Sequence, residues 1–495
     1  MTLPILSLIV ALMIGLLLTG LFWPSPGRGA AGWLLRVFLG WGLGIGVTSL
    51  LYFLCLLAGL ARYAAAADIA LGLIMGLILF IRRRGEREAL NGTAVGGERT
   101  PLRSWIAGVL AVELAASLAS FLVAVLKEPH GRWDAWLIWN MHARFLFRSG
   151  SGWREAFAGG QDWSHWDYPL MLPLSIVRGW SYAGMEEGLF PAVMGLLFTV
   201  LVLGLLLAAL VLLRGRTQGC LAAMVLTGTP FFIAMGASQF ADVPLAFFIL
   251  SCMVMLFIAA RPEGRAAGPL VLAGMAAGLA AWTKNEGLLF ALVAAGSLLG
   301  ITAGTSGWRR ALGRTAGFLA GALPVLAVVL YFKLRIAPAN DLVAGFGWAA
   351  LGDKLFDIHR YAQISKAFFI TGLSFTQGLF DVRTGMGLNP GPVNLLVVAA
   401  YLFLAGIRIE RTDRTALTQG ATVLILMLAG YFLVYVLTPL DLTYHLMTSL
   451  NRLFIQLWPG ILLTLFMIAG APVDAPDPLP GTGKGKPRRK AKGSK

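Results

Sequence analysis

Apolar residues run along this chain in blocks of roughly 17 to 25, the length a helix rising 1.5 Å per residue needs to cross a hydrocarbon core about 30 Å thick. Short polar breaks separate the blocks. They lie at 3–23, 33–60, 65–81, 104–126, 188–213, 219–236, 243–260, 268–282, 286–302, 315–335, 391–408, 417–437 and 452–470, and so predict about 13 transmembrane helices. Helices are the expected spanning form, because the bilayer core offers no water to satisfy backbone groups. One further apolar stretch, LMLPLSIVRGWSYAG at 170–184, is short and contains Pro173 and Arg178. It predicts a helix lying at the outer interface rather than a crossing.

Arginine and lysine cluster in IRRRGERE near 82–88, at Arg214 and Arg216, at Arg261 and Arg265, in WRRALGR at 308–314, in RIERTDR at 408–414 and in the C-terminal tail. A single alternating threading with the N-terminus outside makes all of these cytoplasmic, as the positive-inside rule requires. The loop 127–187, the WTKNEG turn at 282–287, the segment 336–390, the turn 438–451 and the start of FADVPLAFF then all fall outside. Unusual polar residues gather on one face, so any chemistry is expected there.

Composition agrees with the pattern. Hydrophobic residues make up 58% of the 495 and charged residues 13%, with a mean hydropathy of +0.76, too little polar surface to cover a soluble globule. The chain is expected to be an all-α polytopic membrane protein. The net charge of +16 sits largely in the short loops and in GKGKPRRKAKGSK, which reads as topology and attraction to membrane lipids rather than nucleic-acid binding. Cys55, Cys220 and Cys252 lie in or beside apolar runs with no CxxC spacing, predicting neither disulfides nor zinc. Residues 1–23 lack a basic leader and a cleavage site and read as a retained span, while 471–495 read as a disordered basic cytoplasmic tail.

Five polar constellations stand out. Asp134 begins RWDAWLIWNMHARF, where Trp133, Trp136 and Trp139 at spacing three would form one aromatic ridge on a helix. It reads either as a solvated helix-start residue in an interfacial tryptophan belt or as a general base at the membrane surface. HWDYPLMLP places Asp167 before Pro169 and Pro173, as a cap or loop anchor if purely structural. Asp242 precedes Pro244 at the start of a span, the position of a helix-capping carboxylate. Lys284 and Glu286 interrupt a helical hairpin and could form a self-compensating surface pair. In DLTYHLMTSLNRLFIQLWP, helical spacing sets Asp441, His445, Thr448, Arg452 and Gln456 within an arc of about 80°, a narrow polar stripe running into a span. An inward arginine there calls for an anion, and its fork fits phosphate.

In this order the motifs resemble those of GT-C superfamily glycosyltransferases, nearest the bacterial members related to dolichyl-phosphate-mannose protein mannosyltransferases and the aminoarabinose lipid A transferase. The likeness covers roughly 104–470: an acid soon after a span at Asp134, a Pro-Leu interfacial helix in DYPLMLPLSIVRGW, an Asp-x-Pro-Leu start at Asp242 to Leu245, a Thr-Lys turn at Thr283 and Lys284 with Gly287 nearby, and Arg452 ahead of Pro459. Ala135 stands where many relatives carry a second acid, and Asp167-Tyr168 where many carry His or Lys.

The resemblance implies a GT-C-like membrane core at 104–335 with interfacial helices in the first large external loop. It leaves 336–390 as an external loop and lid, 391–470 as C-terminal spans, and 1–103 as three additional helices with a basic loop. It further implies transfer of a sugar from a polyprenyl-phosphate donor to a lipid, glycan or protein acceptor on the outer face of the bacterial inner membrane. In that scheme Asp134 is the catalytic base, Arg452, Lys284, His445 and Gln456 bind donor phosphate, and Asp167, Asp242, Glu286 and Asp441 orient sugar or acceptor. The one candidate cofactor is a divalent cation with no assigned ligands. A polytopic transporter or lipid-linked-sugar flippase is the principal alternative, an O-antigen-type ligase or polymerase a weaker one.

Overall fold

The structure, a computed structural model, describes residues 1–24, 29–86, 104–158, 164–261, 267–339, 348–373 and 394–470. Among them the regular structure is helical, with one isolated bridge between Ile407 and Ala469. In chain order the α-helices are α1 (Thr2–Phe22), α2 (Ala30–Leu57), α3 (Ala64–Glu86), α4 (Ser104–Lys127), α5 (Asn140–Arg148), α6 (Met171–Ala183), α7 (Phe190–Arg214), α8 (Arg216–Thr227) and α9 (Pro230–Ala237). They continue as α10 (Asp242–Ala260), α11 (Ala267–Thr283), α12 (Asn285–Ser306), α13 (Trp308–Arg335), α14 (Trp348–Phe356), α15 (Ile358–Leu373), α16 (Asn394–Ala405), α17 (Arg414–Leu437) and α18 (Leu442–Ile468).

Ten of these are long and apolar enough to cross a membrane: α1, α2, α3, α4, α7, α10, α12, α13, α17 and α18. The other three predicted spans are realised differently. Residues 219–236 form the pair α8 and α9, bent by 66°. The break follows from Gly228 and from Pro230 at the first turn of α9, whose ring excludes continuation of α8. Segments 268–282 and 391–408 hold the shorter apolar helices α11 and α16.

Small residues bring the central helices together. A Cβ on Gly274 of α11 would lie 1.8 Å from the carbonyl oxygen of Phe318 on α13, and one on Gly321 1.9 Å from that of Val271, so these backbones touch. The same device joins α1 to α2, where a Cβ on Gly15 would lie 1.6 Å from the Gly40 oxygen. Lipid supplies no hydrophobic drive between helices, and this close approach is what packing in a membrane relies on. α10, which starts with Asp242, is buried over nearly its whole length.

The helix expected over 170–184 is present as α6, wedged between α1, α2 and α5 and buried from Met171 through Trp180. Pro173 does not break it, since it occupies the first turn, where its missing N–H has no intrahelical partner. Arg178 is neutralised rather than solvated. Its Nε donates to Asp68 Oδ2 of α3 at 2.7 Å and its Nη1 to the Ser7 carbonyl of α1 at 2.9 Å, and Tyr182 donates to the same carboxylate at 2.8 Å. The first three helices thereby hold α6 in place.

One other expectation changes. The segment 336–390 is not without regular structure: α14 and α15 lie in it, and 340–347 and 374–390 are outside the described residues. So is the tail 471–495.

Candidate functional site

The loop carrying Asp134 is stitched to the turn that leads into α10. After α4 the chain reverses at Gly131, φ +76°, where any Cβ would meet Ala135 Cβ at 2.6 Å and the Ser238 oxygen at 2.7 Å. The Arg132 amide donates to Ser238, Asn140 Nδ2 donates to Gln239 Oε1 at 2.7 Å, and Gln239 Nε2 donates to the Pro129 carbonyl at 3.0 Å. Gln239 holds a positive φ of 62° in this turn. These bonds set Asp134 and Asp242 side by side.

Between the two acids lies Arg452 of α18. Its Nη1 donates to Asp134 Oδ2 at 2.6 Å, while Nε and Nη2 both donate to Asp242 Oδ2, at 3.1 and 2.8 Å. Asp242 Oδ1 accepts from Lys284 Nζ at 3.0 Å and from Gln456 Nε2 at 2.6 Å. Lys284 also pairs with Glu286 Oε1 at 2.9 Å, and Tyr431 donates to Gln456 Oε1 at 3.0 Å. The guanidinium stands 4.8 Å from the centre of the Phe240 ring. Asp242 has no solvent exposure, which a carboxylate tolerates only with partners of this kind.

A second group adjoins the first through Asn285. Asn285 Nδ2 donates to Asp167 Oδ2 at 2.8 Å, and Lys333 Nζ donates to Asn285 Oδ1 at 2.6 Å and to the Asp167 backbone carbonyl. Asp167 therefore anchors its loop to α12 and α13. Tyr168 stacks on Trp139 with ring centres 5.5 Å apart and places its own ring 5.9 Å from Lys284 Nζ. Burial pushes the Tyr168 hydroxyl well above its ordinary pKa, and the neighbouring carboxylates of Glu286 and Asp167 push it the same way. Burial alone would lower Lys284, but Asp242 and Glu286 reverse this and raise it, so the amine stays protonated.

No protein-family model, curated protein or solved structure matches the chain.

Of the residues singled out in the sequence, Asp134, Asp242, Lys284, Glu286, Arg452 and Gln456 meet in one hydrogen-bonded cluster, with Asp167 beside it. His445 and Asp441 do not join by contact. His445 Nδ1 is bonded to the Thr438 hydroxyl at 2.9 Å, and Asp441 caps α18 by accepting from the Tyr444 amide at 2.8 Å. The helical stripe thus divides: Arg452 and Gln456 enter the cluster, while Asp441, His445 and Thr448 stay outside it at the N-terminal end of α18. Asp242, for its part, makes no capping bond, because its oxygens are taken by cations. The Lys284–Glu286 pair exists, but Lys284 is buried and shared with Asp242, so it is not a self-contained surface pair.

The tryptophan ridge also divides. Residues 135–139 form a π-helical turn, whose wider winding sends Trp139 into the core while Trp133 and Trp136 remain exposed. Lys333, Asn285 and Tyr431 went unread in the sequence. An intramembrane-end lysine at Lys333 was the one signal available for them, since a charge at the end of an apolar run calls for a partner.

Among the described residues no group of three or more His, Cys, Asp or Glu is disposed to hold a metal ion. The carboxylates of the cluster face guanidinium, ammonium and amide donors, so the donor set does not fit a divalent cation. With formal charges the cluster sets two cations, Arg452 and Lys284, against three carboxylates. Chemically, it combines a fork able to take phosphate oxygens with a partly exposed carboxylate at its rim.

Proposed function

We propose that the chain is a membrane glycosyltransferase that moves a sugar from a polyprenyl phosphate to an acceptor hydroxyl or amine. The observation that supports this reading most is the meeting of four sequence-distant motifs, at Asp134, Asp242, Lys284 and Arg452, in one cluster at one end of a bundle of apolar helices. The proposal includes the alternating topology of thirteen crossings, with the cluster on the extracytoplasmic face of the bacterial inner membrane and the C-terminus cytoplasmic. Lipid in the bilayer and a lipid, glycan or protein acceptor outside it are its partners.

A phosphate departs readily, so the protein's task is to position the acceptor, take its proton and hold the phosphate charge. The acceptor oxygen or nitrogen forms a bond to the anomeric carbon as that carbon's bond to the phosphate oxygen breaks. The electron pair leaves with the polyprenyl phosphate, held by Arg452 and Lys284, and the acceptor's proton passes to an Asp134 carboxylate oxygen. One displacement inverts the sugar carbon. Asp242, Gln456 and Glu286 orient the two cations, and Asp167 shapes the adjoining loop.

The break between α8 and α9 is the one feature that favours a transporter, where interrupted helices line the substrate path. Asp134, Asp242, Lys284 and Glu286 lie at or beside helix ends, with Arg452 and Gln456 reaching them from within α18, and this gathering of charges at helix termini favours transfer chemistry at the surface.

The test is reconstitution of the full chain with a polyprenyl-phosphate sugar and a mixture of envelope acceptors. Asp134→Asn is expected to lower turnover by at least about 100-fold with the protein still inserted and folded. Turnover within a few-fold of the unaltered protein removes Asp134 as the base.

A further inference from the structure

Arg452 serves two carboxylates, and it serves them unequally. Asp242 takes two of its N–H groups, is fully buried, and is itself fixed by Lys284 and Gln456. Asp134 takes one N–H, through Nη1, and that is the only side-chain hydrogen bond it makes among the described residues. Its side chain is 21% exposed, and it sits between the positive-φ turn at Gly131 and the π-helical turn at 135–139. Of the two acids, Asp134 is the one an incoming anion can displace.

Resting on the glycosyltransferase reading above, we propose that the Asp134–Arg452 pair is a latch opened by the phosphate of the lipid donor. The phosphate oxygen takes the Nη1 N–H that Asp134 now holds, while Asp242 keeps Nε and Nη2 in place as the hinge. While paired, the Asp134 carboxylate occupies the place on Arg452 that the donor phosphate takes, so it cannot serve an acceptor beside a loaded donor until the pair opens. Released, it becomes available beside the loaded donor. The base is therefore presented only after the donor has bound, which makes the order of addition donor first and acceptor second. No bond to carbon or phosphorus changes in this step; a hydrogen bond is exchanged.

The latch is read with the full chain in lipid nanodiscs, a C55 polyprenyl monophosphate as probe, and carbodiimide labelling of Asp134 quantified on its peptide. Adding the probe is expected to raise labelling of Asp134 several-fold. Arg452→Ala is expected to give high labelling with or without the probe and to bind the probe at least about ten-fold more weakly, the loss of a charge-assisted pair. Arg452→Lys supplies the same readout if the alanine variant does not fold, because one ammonium paired with buried Asp242 cannot also span to Asp134. Labelling that stays level or falls on adding the probe, while Arg452→Ala weakens binding, overturns the latch and leaves the phosphate site standing. Unchanged probe affinity in the Arg452 variants overturns both.

Discussion

The joint between α6 and the first three helices makes a prediction that needs no assumption about activity. Asp68 and Arg178 have side-chain exposures of 2% and 3% and meet at 2.7 Å. Replacing one member leaves the other charge buried and uncompensated, a loss of about 3–5 kcal/mol. Asp68→Leu belongs at the upper end, because Arg178 would retain only the Ser7 carbonyl at 2.9 Å and the Tyr182 hydroxyl at 3.5 Å. Arg178→Met belongs lower, since Asp68 keeps the Tyr182 hydroxyl at 2.8 Å. The double variant removes both charges at similar volume and is expected within about 1 kcal/mol of the unaltered chain, giving a coupling of roughly 5 kcal/mol or more. Equilibrium unfolding by SDS titration in mixed micelles measures all three. Single losses under about 1 kcal/mol, or a double loss equal to the sum, would refute the claim that this pair locks α6 to the N-terminal helices.

Two further outcomes follow from packing and protonation. Gly15→Ala is expected to destabilise the α1–α2 contact in the same unfolding assay, since its Cβ would lie 1.6 Å from the Gly40 oxygen, whereas Gly76→Ala on α3, with nothing within 4 Å, is expected to be neutral or stabilising. His142 is buried, stacks on Trp166 at 3.8 Å and donates through Nε2 to the Ser164 carbonyl at 2.8 Å, with Nδ1 unpartnered. Burial lowers its pKa to about 3, so the fold prefers the neutral ring. That preference is fully present above the unfolded value near 6.5 and is lost as pH falls toward about 3, at about 1.4 kcal/mol per pH unit. Thermal unfolding from pH 7 to pH 4 should show this slope, and His142→Phe should flatten it.

Much of the helical layout was legible because each apolar block must satisfy its own backbone, and block length carries that information directly. What escaped was set by partners far along the chain. Arg178 looked like a break in an apolar segment because Ser7 and Asp68, which neutralise it, lie 171 and 110 residues away. The motif acids and bases could be picked out singly, since each is costly in an apolar chain. Their mutual contacts, and the displacement of His445 and Asp441 from them, depend on how α10, α12 and α18 cross. The π-helical turn at 135–139 defeated the spacing-three argument for the tryptophans, since that argument assumes a uniform winding. α14 and α15 were missed because they are amphipathic rather than apolar throughout, and apolar block length was the signal from which the layout was read.

The joint at Arg178 also bears on how the protein is made. Synthesis proceeds from the N-terminus, so α3 enters the membrane with Asp68 while Arg178 is still 110 residues from being added. For that interval the carboxylate has no guanidinium. Asp68 lies in the second turn of α3, near a helix end, which keeps the cost of its insertion below the roughly 2.5–3.5 kcal/mol of a charge at the bilayer centre. A ribosome halted before residue 178 would thus hold three helices that are inserted but not yet joined by their charge, and arrival of α6 would complete them.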